Sequence, residues 1–165
     1  MPNQDTQRAL AEQKLIASAW ALAQAQSARR ILIASAYAGA GKTTFATCLA
    51  RRAAWLTSAP VHIVSGQAQL PELTDTAPAG SVWIDGASVL EGDLLALSVE
   101  LRLQVQGAIV IAQGHRTTRT ELREVSLQLT AAGIPPLGCV WNSFVPPARP
   151  WRGLRLRLRG RAPRT

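Results

Sequence analysis

Short apolar runs recur along the chain, and most of them are followed by a stretch of helical composition. The runs are rich in branched residues and do not alternate with polar ones, which predicts strands buried on both faces. They span residues 30–35, 61–64, 81–85, 108–112 and 137–141. Helices are predicted over residues 6–27, 42–55, 89–106 and 118–132, and a capping-box sequence opens the last one. Strands separated by helices indicate an α/β fold with a mainly parallel sheet flanked by helices.

Composition agrees with one folded domain and gives no sign of a membrane span. The 165 residues are 47% hydrophobic and 17% charged, a balance typical of globular rather than disordered proteins. No run approaches the roughly 18 apolar residues of a transmembrane helix, and the polar start does not resemble a signal peptide. We therefore expect a cytoplasmic protein.

Positive charge is concentrated towards the C-terminal end. Seven arginines in residues 149–165 account for all but one unit of the formal net charge of +8. Leucine and arginine alternate over residues 154–159, which gives one apolar and one cationic face if the stretch is extended. Such a segment suits an anionic membrane surface, the sheet edge of a partner or a polyanion such as nucleic acid, and a solvated end is the simplest alternative. Residues 146–165 are interpreted as a Pro/Arg-rich basic tail.

A glycine-rich loop lies between the first predicted strand and the helix that follows it. Residues 36–44 read AYAGAGKTT, which matches the Walker A pattern at its Gly-Lys-Thr end but has alanine in place of the first glycine. Loops of this kind turn backbone N–H groups towards phosphate oxygens, and the following helix adds its positive N-terminal end. The predicted phosphate-binding residues are Gly39, Ala40, Gly41, Lys42, Thr43 and Thr44. Residues 29–145 are therefore interpreted as a P-loop nucleotide-binding domain, preceded by a helical segment at 1–28.

Asp85 supplies the second part of the predicted site. Lys42 would pair with the β and γ phosphates, and the Thr43 hydroxyl is placed to bind Mg²⁺. Asp85 ends a hydrophobic strand, as does the Walker B carboxylate that holds this metal through water. Taken alone, Asp85 is equally well a strand-end or turn carboxylate, and a Gly-Lys-Thr tripeptide also arises by chance. The order of strand, glycine loop, helix and second strand favours a site for ATP and Mg²⁺, with Lys42 and Asp85 as its catalytic residues.

Residues 12–142 resemble the cytoplasmic kinase domain of bacterial tyrosine kinases that accompany capsule and exopolysaccharide export. The matches are the loop at 35–44, the strand at 81–85, the strand and helix start at 108–119, and the strand at 137–142 that ends in Asn. The resemblance implies a three-layer P-loop NTPase fold, ATP as cofactor and an adenine contact for Asn142, for which capping of a strand end is the alternative. It also implies an inner-membrane polysaccharide co-polymerase as partner, and hence a place at the inner face of the membrane.

The sequence departs from that family at positions that bear on activity. Ser65 and Gln67 stand where the family has two aspartates that help to bind Mg²⁺ and activate the acceptor hydroxyl. A base of this kind typically contributes a factor of about 10² to 10⁴ to the rate. The only tyrosine, Tyr37, lies inside the loop, so the family's C-terminal tyrosine cluster is missing. Other carboxylates that offer a substitute are Asp75, Glu91 and Asp93, although loop carboxylates are more often simply solvated.

These residues are compatible with three functions. The first is an ATP-binding relative of the polysaccharide kinases that regulates polysaccharide biosynthesis or export with a membrane partner through nucleotide-dependent switching. The second is an active phosphotransferase or slow ATPase with an unidentified base. The third is a partitioning-type ATPase associated with nucleic acid, although that superfamily has a signature lysine at the position of Tyr37. Self-association into a homo-oligomer is left open.

Overall fold

The structure is a computed structural model that describes residues 4–56, 60–65 and 80–143. Gln67, Asp75 and the basic tail at 146–165 lie outside the described residues, so the predictions made for them stay predictions. In the described ranges, no helix is both long enough and apolar enough to cross a membrane.

Five parallel strands form the sheet, in the order β2-β3-β1-β4-β5. They are β1 (Arg30–Ser35), β2 (Val61–Ser65), β3 (Ser81–Ser88), β4 (Gly107–Gln113) and β5 (Pro136–Asn142). Each strand corresponds to one of the predicted apolar runs. The predicted α/β class is therefore confirmed, and the first strand lies at the centre of the sheet.

Helices lie before β1 and in the connections between strands. They are α1 (Gln4–Ala25), α2 (Lys42–Leu56), α3 (Asp93–Ala96), α4 (Val99–Gln104) and α5 (Arg119–Ala131). The predicted capping box opens α5: the Thr118 hydroxyl accepts from the Glu121 N–H at 3.2 Å, and the Glu121 carboxylate accepts from the Thr118 N–H at 2.7 Å. These bonds satisfy N–H groups that the start of a helix leaves without partners.

Alternate side chains of the central strand point into two separate hydrophobic clusters. Ile31 and Ile33 pack with residues from α1 and α2, whereas Leu32 and Ala34 pack with residues from α3, α4 and α5. All four side chains are fully buried. Because successive residues of a strand face opposite sides of a sheet, helices cover both faces. Residues 31–34 of β1 are all apolar because neither face of the strand meets water there.

A broken helical segment stands where the sequence predicts one helix over residues 89–106. A 3-10 turn at Val89–Glu91 is followed by the two short helices α3 and α4. Gly92, between the turn and α3, has a φ of +89°, which a regular helix does not allow. Ser98 is not helical, and its hydroxyl caps α4 by accepting from the Leu101 N–H at 3.1 Å. The prediction of a continuous helix is wrong because these two residues interrupt it.

The strand β3 continues past Asp85, the residue at which the predicted strand ends. Asp85 pairs with Ile33 of β1, whereas Ser88 pairs with Ser35, so β3 carries one extra residue between the two pairs. A bulge of this kind bends a strand and re-aims its side chains. Asp85 and Ser88 consequently both lie beside the last residues of β1.

Trp83 of β3 joins the sheet to the helices on one face. Its indole is fully buried, with its ring centroid 6.3 Å from that of Trp20 in α1 and 6.4 Å from that of Phe45 in α2. Its Nε1 donates to the Ser81 hydroxyl at 3.1 Å, which provides the buried N–H group with a partner. This cluster packs α2, which begins directly after the predicted phosphate loop, against the sheet.

Candidate phosphate-binding site

The candidate site lies at the carboxyl end of β1. The helix that follows β1, α2, packs on one face of the sheet, whereas the helix that follows the neighbouring β4, α5, packs on the other. Adjacent strands whose connections leave towards opposite faces open a crevice beyond their carboxyl ends, where open α/β sheets bind ligands. Residues 36–41, within the stretch that matches the Walker A pattern, form the loop at this position and lead into α2.

Two glycines give the loop its path. Gly39 and Gly41 have φ angles of +73° and +99°, in the left-handed region that other residues rarely adopt. A Cβ atom at Gly41 would also lie 2.6 Å from Nδ2 of Asn142, so a side chain there would displace this amide. Nδ2 of Asn142 donates to the carbonyl oxygen of Ala40 at 2.9 Å. Asn142 thus holds the loop against the end of β5, and its adenine contact stays a prediction.

Lys42 is the first residue of α2, and its ammonium group reaches back to the ends of β1 and β3. Nζ donates to the hydroxyls of Ser35 and Ser88, at 2.9 Å each. Burial lowers the pKa of Lys42, and nearby carboxylates, foremost that of Asp85, oppose this shift. The protein therefore holds a half-buried cation against neutral hydroxyls, an arrangement that a bound anion would stabilise.

A cavity of about 310 Å³ opens beside the loop. Its lining residues are Lys42, Thr43, Ser65, Asp85, Gly86, Ala87, Asp93, Ala96 and Leu97. The fold thus brings Lys42, Thr43 and Asp85 to one place, while Thr44 is exposed in the first turn of α2. Proteins bind Mg²⁺ through one or two carboxylates when phosphates and water complete the coordination, so the hydroxyl and carboxylates of this cavity fit that metal.

Ser65 lies in the same cavity. It ends β2 and is paired in register with Asp85 of the neighbouring strand. The resemblance to bacterial tyrosine kinases places an aspartate at this position, so the departure from that family falls inside the candidate site. No carboxylate is contributed by this end of β2, where Ser65 is the last described residue.

The segment that follows β3 also contacts the loop. We call residues 88–93 the 88–93 turn. The backbone N–H of Leu90 donates to the carbonyl oxygen of Ala36 at 3.1 Å, and the backbone N–H of Ala38 donates to Oε2 of Glu91 at 2.7 Å. The sequence identified Glu91 only as one of several alternative carboxylates. Its contact with the loop was missed because the two residues lie 53 positions apart along the chain.

Two further side chains of the 88–93 turn complete these contacts. Ser88, whose hydroxyl accepts from Lys42, is buried, and its backbone N–H donates to Oδ2 of Asp93 at 3.1 Å. Asp93 in turn lines the cavity. Nothing in the local sequence marked Ser88, because its position depends on the bulge in β3.

Tyr37 points away from the loop and towards α5. Its hydroxyl donates to Oε1 of Glu121 at 2.6 Å, and Cζ of Arg116 lies 4.8 Å from the centroid of its ring. The hydrogen bond to Glu121 raises the pKa of Tyr37, because it stabilises the protonated hydroxyl. Arg116 and Glu121 were not predicted as neighbours of the loop, since only the packing of β4 beside β1 brings them there.

Comparison with known proteins adds no family to this description. No protein-family model matches the chain, and no curated protein matches it significantly. The resemblance to bacterial tyrosine kinases therefore stays a hypothesis, and a functional conclusion depends on the geometry of the site.

Proposed function

We propose that the chain binds ATP together with Mg²⁺ as a protein of the P-loop NTPase class. The observation that carries the proposal is the loop between β1 and α2, where two left-handed glycines precede a half-buried Lys42. Backbone N–H groups of a glycine loop, a helix N-terminus and an ammonium group all favour an anion at the same place. The pairing of β1 with β3 supports the assignment further, because it puts Asp85 beside the loop.

The proposed roles follow from the chemistry of each side chain. Lys42 exchanges its serine partners for phosphate oxygens, while Thr43 and Asp85 hold Mg²⁺, which neutralises charge on the phosphates. Among the described residues, no group of three or more His, Cys, Asp or Glu side chains could hold a metal ion. The ion therefore needs phosphate oxygens as additional ligands, and we expect metal and nucleotide to bind together.

Calorimetric titration of the full chain with ATP and Mg²⁺ tests this proposal. Lys42→Ala should weaken binding about tenfold to a hundredfold, because a hydrogen bond to a charged group contributes about 1.5–3 kcal/mol. Lys14→Ala removes the same charge from an exposed position on α1 and should leave the affinity unchanged. A wild-type chain that fails to bind ATP at millimolar concentration would contradict the proposal.

A finer proposal concerns what the nucleotide is for. We infer that the chain is a relative of the exopolysaccharide tyrosine kinases that regulates polysaccharide biosynthesis or export, with an inner-membrane co-polymerase as partner. Serine at position 65, where the family has aspartate, favours nucleotide-dependent switching over phosphotransfer. Transfer to a hydroxyl needs a proton acceptor, which serine does not provide. Phosphate release and protein phosphorylation with ATP and Mg²⁺ test this role. Sustained turnover that Lys42→Ala abolishes would favour a phosphotransferase or ATPase instead.

A nucleic-acid-associated ATPase of the partitioning type is the second candidate, and the concentration of arginines in residues 149–165 favours it. Electrostatic binding to DNA releases counterions, so the affinity should fall steeply with salt concentration. Deleting residues 149–165 should then remove DNA binding and leave ATP binding intact. A full chain with no measurable affinity for DNA at low salt would exclude this candidate.

A further inference from the structure

The 88–93 turn contacts two groups at the candidate site: the Ala38 amide, which directly precedes the predicted phosphate-binding residues 39–44, and the Lys42 ammonium, which is among them. The Ala38 amide donates to Oε2 of Glu91 at 2.7 Å, and the Lys42 ammonium donates to the Ser88 hydroxyl at 2.9 Å. Ser88 is a neutral partner, whereas Glu91 is a carboxylate. A carboxylate oxygen and a phosphate oxygen are the same kind of charged acceptor for an N–H group. The Ala38 amide therefore cannot donate fully to both at once.

Glu91 is placed so that it can leave the loop. Its side chain is exposed, so the released carboxylate returns to water and no charge is buried. The residue after it, Gly92, is in the left-handed region at +89° and ends the 3-10 turn. Displacement of Glu91 thus requires the rotation of an exposed side chain rather than the repacking of a core.

We propose that Glu91 sets the nucleotide affinity of the site by competing with a phosphate oxygen for the Ala38 amide. This inference rests on the ATP binding proposed above and makes Glu91 an affinity-determining residue of the same site. Only molecules with a free amide bind nucleotide fully, so the measured Kd equals the intrinsic Kd divided by the free fraction. A contact formed in about 80–90% of empty molecules weakens binding about fivefold to tenfold.

The test compares substitutions that remove one negative charge from the same stretch of chain. Glu91→Ala removes the competing acceptor and should lower the Kd for ATP with Mg²⁺ about fivefold to tenfold. Glu91→Gln leaves a neutral, weaker acceptor and should give a smaller decrease in Kd. Glu100→Gln is the control, because Glu100 is exposed on α4 and its carboxylate is held by Ser98 and its own backbone. Its Kd should equal that of the wild type.

Two further titrations separate competition at the phosphate site from other effects of Glu91. Inorganic pyrophosphate has the phosphate groups without the base, so Glu91→Ala should improve its binding by a similar factor. ATP titrated in EDTA removes any contribution of Glu91 to the metal, and the improvement should persist there. Thermal unfolding of each variant shows whether the comparison is made between equally folded chains.

The outcomes distinguish this inference from the proposed function. Unchanged or weaker binding in both Glu91 variants, with a wild-type chain that binds ATP, would overturn the inference and leave the proposed function standing. An improvement seen equally in Glu100→Gln would also overturn it, because general electrostatics would then account for the effect. Absence of ATP and pyrophosphate binding in every variant would instead remove the proposed function.

Discussion

At the scale of single residues, the two left-handed glycines of the loop have different surroundings. A Cβ atom at Gly39 would meet nothing within 4 Å, whereas one at Gly41 would collide with Asn142. Alanine at either position carries a backbone strain of about 1–2 kcal/mol. Gly41→Ala also displaces the amide that holds Ala40. We therefore expect Gly41→Ala to lower the free energy of unfolding and the affinity for ATP more than Gly39→Ala does, as measured by urea denaturation and titration.

Gly133→Ala is the matched control for this pair. Gly133 has a φ of +80° and open space around it, but it lies after α5, at the amino edge of the sheet. The substitution should therefore lower stability about as much as Gly39→Ala and leave ATP binding unchanged. Equal effects of Gly39→Ala and Gly41→Ala on both measurements would show that the contact with Asn142 does not matter.

The residues of the site that follow one another in the chain could be predicted, and those joined by the fold could not. Lys42 and Thr43 follow the loop glycines at the Walker A spacing, so the local sequence identifies them as candidates. Ser88 lies 46 positions from Lys42, and Glu91 lies 53 positions from Ala38. Their arrival at the loop depends on the bulge in β3 and the turn after it, and no local pattern specifies either.

At the scale of elements, the strands were predictable because burial on both faces leaves a continuous apolar run. The segment at 89–106 was mispredicted for an equally physical reason. Its buried residues are Val89, Leu94, Leu97, Leu101 and Val105, which are spaced three to five apart. This spacing is close to that of one amphipathic helix, although the backbone breaks at Gly92 and Ser98. Periodicity indicates which side chains face the core. Here it did not indicate whether the backbone between them forms one continuous helix.

The cap of α5 should make stability depend on pH. The backbone N–H of Thr118 and then the Tyr37 hydroxyl lower the pKa of Glu121 below its ordinary value of 4.5. A carboxylate whose pKa is lower in the folded chain than in the unfolded chain stabilises the fold at pH values above its unfolded-state pKa. This stabilisation is lost as the pH falls through the folded-state pKa. We expect Glu121→Gln to reduce the loss of unfolding free energy below pH 4.5, as measured by urea denaturation across a pH series.

Glu124→Gln provides the comparison for this prediction. It removes the same charge from α5 but leaves the capping contacts of Glu121 in place. Its free energy of unfolding should decrease with falling pH as that of the wild-type chain does. If Glu121→Gln and Glu124→Gln gave the same pH profile, the cap would not be the source of the dependence.

At the scale of the whole molecule, the packing of one helical layer centres on Trp83. Its fully buried indole contacts Trp20 of α1 and Phe45 of α2. Trp83→Ala should lower the free energy of unfolding by about 3–5 kcal/mol, through lost apolar contacts and the cavity left behind. Urea denaturation followed by circular dichroism measures this loss.

Trp141→Ala is the corresponding control, because the same side chain is removed from a position that is 56% exposed on the edge strand β5. Its effect on the free energy of unfolding should be clearly smaller, within about 0.5 kcal/mol if it behaves as a surface substitution. Comparable losses from the two substitutions would contradict the assignment of Trp83 to the core.

The backbone bond from Leu90 to Ala36 bears on how long a nucleotide stays bound. Neither of its atoms is among the groups expected to contact phosphate, so the bond can persist when Glu91 leaves the loop. A carboxylate tethered in this way remains near the Ala38 amide at an effective concentration of millimolar order. The carboxylate binds the amide again whenever the phosphate oxygen dissociates from it, and this shortens the residence time of the nucleotide. In the proposed competition Glu91 therefore raises the dissociation rate of the nucleotide as well as its Kd.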